Sequence, residues 1–238
     1  MVDKEKNIDT KEIDKFNQLA SRWWDPEGDF KPLHDINPLR IDYINSYKNL
    51  NNQKIADIGC GGGILSEAMA IKGGIVTGID MAENALNVAK IHQIESKTNV
   101  TYKLTTVENL AVLEKGTFDV VTCLEMIEHV PSPKEVIESC SKLLKPGGSA
   151  FFSTINRNPK AFFYAILGAE HILKLLPIGT HEYAKFIKPS ELEYWARSAS
   201  LDLKDSIGLK YNPFTKKYSL EKNLAVNYLM HFKKKTIQ

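Results

Sequence analysis

Apolar residues follow two different periods along the chain, and the change between them predicts the order of the structural elements. Ile13, Phe16 and Leu19 recur at helical spacing and predict an N-terminal helix. A loop rich in Trp, Pro and Gly follows, and a short helix is predicted from Leu39 to Tyr47. Residues 1–50 are therefore expected to form a helical cap on the rest of the protein.

From Lys54 onward, short apolar runs alternate with amphipathic segments, a pattern typical of parallel strands joined by helices. The first five strands are predicted in the segments KIADIG, IVTGID, VTYKLTT, FDVVTCLE and SAFFSTI. Near the C-terminus the rhythm changes, and PSELEYWARSAS predicts a helix, whereas LDLKDSIGL and NLAVNYLMHFKK predict strands. The pattern as a whole predicts an α/β fold with a doubly wound, mostly parallel sheet.

The predicted fifth strand is followed by an insertion, residues 156–188, that is strongly apolar but interrupted by charges. A helix here would present Phe162 and Phe163 on a broad apolar face, with Glu170 and Lys174 interrupting the apolar run. The segment is too short and too polar to cross a bilayer. Two interpretations stay open: the helix dips into the headgroup region of a membrane, or it packs on the domain or in a dimer contact.

Length, net charge and cysteine content limit the classes of protein to which the chain can belong. A chain of 238 residues with 43% hydrophobic content is expected to form a single domain, residues 1–238. The net charge of +2, without a basic stripe, gives no reason to expect nucleic-acid binding. Three cysteines without a CxxC pair, after a polar N-terminal segment, indicate a reducing, cytoplasmic compartment.

The segment DIGCGGG, Asp57–Gly63, lies between the first predicted strand and the helix after it. Glycines there allow a sharp turn and let a ligand approach bare main chain near a helix N-terminus. Asp80 ends the second strand, where a carboxylate can accept hydrogen bonds from a ribose diol. The dinucleotide fingerprint needs a small residue where this chain has Ile64, so nicotinamide binding is disfavoured.

A second polar motif, CLEMIEHVP, follows the fourth predicted strand. Glu125, Glu128 and His129 stand at i, i+3 and i+4, so a helical turn would place all three on one face. The residue types alone are compatible with a metal site, a proton acceptor or a solvated loop.

The glycine spacing D-x-G-x-G-x-G resembles motif I of the class I S-adenosylmethionine-dependent methyltransferases. The stretches ASRWWD, FKPLHDINPLR, CLEMIEHVP, FFSTINRN, GTHEY and FIKPSEL resemble one family among them, the O-methyltransferases of ubiquinone biosynthesis (UbiG type). The resemblance runs from about residue 12 to residue 232. It implies a Rossmann-like, seven-stranded sheet with an antiparallel last strand and a helical insertion after strand five.

The resemblance also implies an activity, which is methylation of phenolic hydroxyls on polyprenylated rings with S-adenosylmethionine as the cofactor. Two steps of ubiquinone biosynthesis are implied, on a polyprenyl hydroxyphenol and on demethylubiquinol. We further expect peripheral contact with lipid at the inner face of the membrane and association with other enzymes of the pathway. The alternatives are a methyltransferase for another small phenol or catechol, and a non-catalytic lipid-binding component.

By position, the resemblance implies that Arg40, Gly59, Asp80 and Leu124 contact S-adenosylmethionine, together with Gly61 of the same glycine loop. The guanidinium group of Arg40 could also pair with the methionine carboxylate through two hydrogen bonds.

The family often has an aspartate after the third strand that binds the adenine amino group, and here that place reads Thr105-Thr106-Val107. Adenine recognition is therefore assigned to a hydroxyl, to backbone groups or to Glu108. The pair Trp23-Trp24 is expected either to close over the ligands or to anchor the N-terminal helix.

The acids and the histidine of CLEMIEHVP have two chemical interpretations. A phenol has a pKa near 10, so the site must lower that pKa or remove the proton during the reaction. His129 could act as the catalytic general base. Alternatively, Glu125, Glu128 and His129 could bind a divalent metal that acidifies the phenol. The resemblance implies magnesium, whereas an imidazole ligand suits zinc, manganese or iron better.

Overall fold

The computed structural model describes residues 7–161 and 183–236. Of the predicted insertion at 156–188, residues 162–182 lie outside the described residues, and so do Phe162 and Phe163. Within the two described ranges, no helix has the length and apolar character needed to cross a membrane.

The strands form a single sheet in the order β3-β2-β1-β4-β5-β8-β6-β7. The strands are β1 Lys54–Ile58, β2 Ile75–Asp80, β3 Val100–Leu104, β4 Phe118–Leu124, β5 Leu144–Ile155, β6 Leu201–Asn212, β7 Lys217–Glu221 and β8 Asn227–Lys234. Strands β1 to β5 are parallel to one another, and β8 inserts antiparallel between β5 and β6. The doubly wound sheet with an antiparallel last strand is therefore confirmed.

The predicted number of strands was wrong, because the sheet has eight strands rather than seven. The additional strand, β7, forms an antiparallel hairpin with β6 at the edge of the sheet. Its five residues, KYSLE, contain two charged side chains and follow the turn-forming segment NPFTKK, so their apolar signal is weak.

Helices lie before and between the strands. They are α1 Thr10–Leu19, α2 Lys31–Tyr47, α3 Ile64–Ile71, α4 Glu83–Ser96, α5 Val107–Leu113, α6 Pro133–Leu143, α7 Pro159–Ala161 and α8 Pro189–Ser198. Helix α2 begins well before the predicted start at Leu39, because Pro32 occupies its first turn and Pro38 is accommodated in its interior. Helix α5 was not predicted, since it spans only seven residues.

Each face of the sheet has its own apolar core. On one face, α5, α6 and α8 pack on strand residues that include Val121 and Phe152. On the other face, α2 and α3 pack on residues that include Val120 and Phe151. Adjacent residues of one strand thus serve opposite cores, as the alternation of side chains requires.

Helix α1 lies beside the carboxyl ends of the parallel strands and is attached by polar side chains. Asn17 accepts a hydrogen bond of 2.9 Å from the backbone N–H of Asn84 at the start of α4. Just before the helix, the Asn7 amide donates to Glu108 at 2.9 Å and accepts from the Ser132 N–H at 2.7 Å. The helix has no fully buried residue, but Phe16 and Leu19 pack against an apolar cluster, and these contacts hold it together with the polar bonds over the edge of the sheet where the site lies.

Candidate active site

The glycine loop between β1 and α3 has a backbone that other residues adopt with difficulty. Gly59 and Gly61 have φ angles of +71° and +51°. A Cβ atom on Gly59 would overlap the side chain of Met126, and one on Gly61 would overlap the indole of Trp23. Glycine is therefore required at both positions for conformation and for close approach.

The two acids beside the loop are held by different partners. Asp80 accepts hydrogen bonds of 2.8 Å from the backbone N–H groups of Gly61 and Ala82, one on each oxygen. Asp57 accepts bonds of 2.6 and 2.7 Å from the hydroxyls of Ser66 and Thr122. Burial raises the pKa of Asp80, and burial raises the pKa of Asp57 to about 6.

A cavity of about 190 Å³ opens where the glycine loop, α1 and the end of β4 meet. The predicted cofactor residues all line it, and so do two of the three predicted metal ligands. These lining residues are Arg40, Gly59, Gly61, Asp80, Leu124, Glu125 and His129. Glu128 is not among the described lining residues. The structure thus places seven of the eight predicted site residues at one cavity.

The helical turn that would place Glu125, Glu128 and His129 on one face does not extend to Glu125. Glu125 has a φ angle of +54°, which is the left-handed region and ends the extended strand abruptly. The chain then forms only a short 3₁₀ turn from Ile127 to His129, closed by a 2.9 Å bond from the His129 N–H to the Met126 carbonyl. The left-handed residue therefore separates Glu125 from the other two side chains.

Glu125 is bound by three side chains that come from distant parts of the sequence. Its Oε1 forms an ion pair with the guanidinium of Arg40 and accepts a 2.7 Å bond from the Ser153 hydroxyl. Both of its oxygens lie 3.0 Å from the side-chain nitrogen of Asn227. Burial lowers the pKa of Arg40, although the charge of Glu125 opposes this effect. The carboxylate of Glu125 is therefore turned towards Arg40.

His129 has its own partner on the N-terminal helix. Its Nδ1 lies 3.1 Å from Oε2 of Glu12, and the other oxygen of Glu12 accepts a 2.8 Å bond from Lys185. The hydrogen bond with His129 is the main cause that lowers the pKa of Glu12 to about 2. Burial lowers the pKa of His129, but the Glu12 hydrogen bond and the charges of Glu128 and Glu12 outweigh burial and raise it. The result is a hydrogen-bonded His129–Glu12 pair at the wall of the cavity.

Glu128 is buried, and its carboxyl group is not fully hydrogen-bonded. Its Oε2 has no hydrogen-bond partner in the part of the chain that the structure describes. Burial, followed by the charge of Glu125, raises the pKa of Glu128 to about 7. The carboxyl of Glu128 therefore keeps its proton to a higher pH than an exposed glutamate does.

The three predicted metal ligands do not converge in this structure. Across residues 7–161 and 183–236, no group of three histidine, cysteine, aspartate or glutamate side chains is arranged to hold a metal ion. Glu125 faces Arg40, and Nδ1 of His129 faces Glu12. Only the unpartnered oxygen of Glu128 fits a missing cation, so the set as a whole does not fit one in this arrangement.

The residues considered for adenine recognition also line the cavity, namely Thr105, Thr106 and Glu108. The Thr106 hydroxyl caps α5 by accepting from the Asn109 N–H at 3.2 Å, and the Glu108 carboxylate accepts from Asn7. The described hydroxyl and carboxylate therefore already have partners within the protein.

The two tryptophans have different roles: Trp23 faces the cavity, and Trp24 contacts the glycine loop from outside it. Trp23 lines the cavity and stacks on Phe30, with ring centroids 4.0 Å apart. Trp24 donates a 2.8 Å hydrogen bond to the Gly62 carbonyl instead.

Sequence reasoning missed Glu12, Ser153 and Asn227 as site residues. A signal for two of them was present, because β5 ends and the antiparallel β8 begins at the edge of the sheet that carries the site. Polar residues near those two strand ends were therefore candidates. Glu12 gave no such signal, since nothing local fixes where α1 docks.

The fold and the glycine loop with its following acid define a class I S-adenosylmethionine-dependent methyltransferase. Residues 56–152 match the family model described as a methyltransferase domain. A crystal structure of magnesium protoporphyrin IX methyltransferase from Synechocystis PCC 6803 with bound SAM shares the fold, with a TM-score of 0.67 and 17% identity. The alignment covers 94% of this chain and 96% of that one.

More similar sequences identify the family within this class. The ubiquinone biosynthesis O-methyltransferase of Saccharophagus degradans is 57% identical over 235 residues, covering 98% of this chain and 100% of the relative. That of Pseudomonas fluorescens strain Pf0-1 is 60% identical over 224 residues, covering 94% and 97%. This chain belongs to the family of ubiquinone biosynthesis O-methyltransferases.

Proposed function

We propose that this protein transfers the methyl group of S-adenosylmethionine to phenolic hydroxyls of polyprenylated rings, at both O-methylation steps of ubiquinone biosynthesis. The observation that carries the proposal is one cavity lined both by the glycine loop with Asp80 and by the turn with Glu125 and His129. The family name of the relatives supports the substrate class.

In the proposed reaction, the phenol oxygen attacks the methyl group, the O–C bond forms and the C–S bond breaks. The phenol proton must leave during this step, because a phenol with a pKa near 10 is mostly protonated at neutral pH. We assign the proton to Nε2 of His129. Glu12, with a pKa of about 2, is ionised and only accepts hydrogen bonds, so Nδ1 of His129 must be the donor towards it.

A methyl-transfer assay tests this proposal. The protein is incubated with radiolabelled S-adenosylmethionine and either a short-tailed demethylubiquinol analogue or a catechol without a tail. Transfer to the tailed analogue, at the higher kcat/KM, is the expected result. Transfer to the catechol alone would support the small-phenol alternative, and cofactor binding without turnover would support the non-catalytic one.

The finer part of the proposal concerns a divalent metal, with magnesium as the first candidate and Glu125, Glu128 and His129 as ligands. The family resemblance and the unpartnered Glu128 oxygen support it. The pairing of Glu125 with Arg40 argues against it, and the proton transfer above does not depend on it. Activity that is lost with chelator and restored by a divalent ion, but not restored in Glu125→Ala, would establish the metal site. Activity that withstands chelator but falls in His129→Gln would establish the metal-free base.

We also propose that the protein is a single cytoplasmic domain that contacts lipid at the inner face of the membrane and associates with other enzymes of the pathway. The apolar insertion supports membrane contact, because the tail of the substrate stays in lipid while its ring reaches the cavity. Flotation with liposomes tests this by comparing the intact protein with a Phe162→Asp, Phe163→Asp variant. Equal flotation of the two proteins would remove membrane contact from the proposal.

A further inference from the structure

Outside the cavity, three side chains connect two helices to the glycine loop. The side chain of Glu67 on α3 is 3% exposed, and both of its oxygens lie 3.0 Å from Nδ1 of His92 on α4. The His92 ring stacks on the indole of Trp24, with centroids 3.3 Å apart and planes within 3° of parallel. The indole N–H of Trp24 in turn donates a 2.8 Å bond to the carbonyl of Gly62.

A buried carboxylate is a costly way to connect two helices. Apolar side chains would join α3 and α4 without the desolvation cost that Glu67 carries. What the carboxylate adds is direction, because its hydrogen bond to His92 fixes the plane of the imidazole ring. The stacked indole of Trp24 then has its plane fixed as well, and its N–H is aimed at Gly62.

The target of this N–H is the part of the loop that most needs an external support. Gly61 and Gly63 on either side of Gly62 both have positive φ angles, +51° and +90°. Glycine peptides can rotate at little cost, so a free loop of this composition samples many orientations of its N–H and C=O groups. Asp80 holds the Gly61 N–H on one side of the loop, and Trp24 holds the Gly62 carbonyl on the other.

We propose that Trp24 is a positioning residue for the cofactor, held in place by His92 and Glu67. By fixing the Gly62 carbonyl, it keeps the loop in the conformation that receives S-adenosylmethionine, which lowers the entropic cost of binding. None of Trp24, His92 and Glu67 is among the described residues that line the cavity, so the effect passes through the loop backbone. The proposal depends on S-adenosylmethionine as methyl donor and is independent of the acceptor.

Calorimetric titration with S-adenosylhomocysteine measures this effect without any acceptor. Trp24→Phe keeps a ring on His92 but loses the hydrogen bond to Gly62, and we expect its Kd to rise about three- to tenfold. Glu67→Leu removes the support of His92 and should raise the Kd in the same direction. Glu67→Gln keeps an oxygen that accepts from Nδ1 of His92, and it should bind nearly as the wild type does.

Steady-state kinetics and a control separate positioning from general stability. The KM for S-adenosylmethionine of Trp24→Phe should rise by the same factor as the Kd, with kcat within about twofold of the wild type. Trp195→Phe alters a tryptophan that packs on the core away from the cavity and should leave the Kd unchanged. The titration reports its own stoichiometry, so unfolded protein does not distort the Kd.

Wild-type affinity in both Trp24→Phe and Glu67→Leu would overturn the positioning role. An equal rise of the Kd in Trp195→Phe would overturn it as well, since the effect would then be general. If the wild-type protein itself fails to bind S-adenosylhomocysteine, the cofactor assignment fails first, and that result is distinct from either of these.

Discussion

The two halves of the cavity are built in opposite ways. The half to which we assign the cofactor, the cofactor half, is the loop Asp57–Gly63 with Asp80, and its shape depends on backbone N–H groups and on glycine conformations within a short stretch of chain. The half to which we assign the acceptor, the acceptor half, is the turn from Glu125 to His129. Glu125 is paired with Arg40 and His129 with Glu12, and both partners come from far earlier in the sequence. A local motif thus forms one half, and the tertiary fold assembles the other.

This difference predicts how a substitution in each half impairs the protein. In the cofactor half, a single added carbon atom interferes with main-chain geometry, and no distant residue can compensate. In the acceptor half, removal of one charge leaves its partner buried and unpaired, which costs folding free energy before it affects chemistry.

The largest effect is expected for Gly61→Ala in the cofactor half. The residue has a positive φ angle, and the new Cβ would overlap Trp23, which is itself held against Phe30. We expect the affinity for S-adenosylhomocysteine, measured by calorimetry, to fall at least about a hundredfold. Gly116→Ala is the control, since Gly116 also has a positive φ of +65° but open space around its Cβ. Its affinity should be unchanged, and an equal loss there would mean that strain alone explains the result.

The next effect is expected for Arg40→Met, which removes the charged partner of Glu125 in the acceptor half. The Arg40 side chain is 6% exposed, and its loss leaves Glu125 with an uncompensated charge. The free energy of unfolding in urea should fall by about 2–4 kcal/mol. Arg22→Met is the matched control, because the Arg22–Asp29 pair is on the surface with Arg22 61% exposed, and it should cost less than about 1 kcal/mol. Similar losses in both variants would show that burial does not matter here.

The pH dependence of the unfolding free energy, compared between the wild type and Asp57→Asn, tests the buried acid of the cofactor half. The folded protein holds the Asp57 proton more tightly than the unfolded chain does, since the pKa rises from 3.8 to about 6. Stability of the wild type should therefore fall as pH increases from about 4 to 6, by about 2 kcal/mol from this group. The variant lacks the titrating group, so the difference between the two unfolding curves should change over that interval. A constant difference from pH 4 to pH 7 would contradict the raised pKa.

The smallest effect is expected for Glu12→Gln. Here the group stabilises the protein at higher pH, whereas the effect of Asp57 is destabilising as pH rises. The pKa of Glu12 falls from 4.5 to about 2 in the folded protein, so its contribution to stability is complete above about pH 4.5. That contribution disappears as pH falls through 2. The full shift would correspond to roughly 3 kcal/mol, but solvent screens this partly exposed group, so we expect about 1 kcal/mol. Unfolding free energies of wild type and variant should converge at low pH and separate near neutrality. A gap that persists at pH 2 would have another origin.

The same contrast explains how far the sequence alone could predict the molecule. The parallel strands and the loop Asp57–Gly63 depend on local periodicity and glycine spacing, so they could be predicted. The antiparallel last strand was expected from the family resemblance and not from local periodicity. The partners of the acceptor half could not, because the left-handed turn at Glu125 reverses the expected side-chain direction. Glu12 pairs with His129 only after α1 docks, and no local pattern encodes that docking.

The neighbouring residues Phe151 and Phe152, which serve opposite cores, have a further consequence for catalysis. If β5 slipped by a single residue, both aromatic rings would change sides together, and each apolar layer would lose a ring and gain the wrong neighbour. The strand is therefore locked in place from above and below. Ser153 comes next in the same strand, so the hydroxyl that meets Glu125 keeps its position without any tether of its own. The register of the sheet therefore fixes the position of Ser153 relative to Glu125.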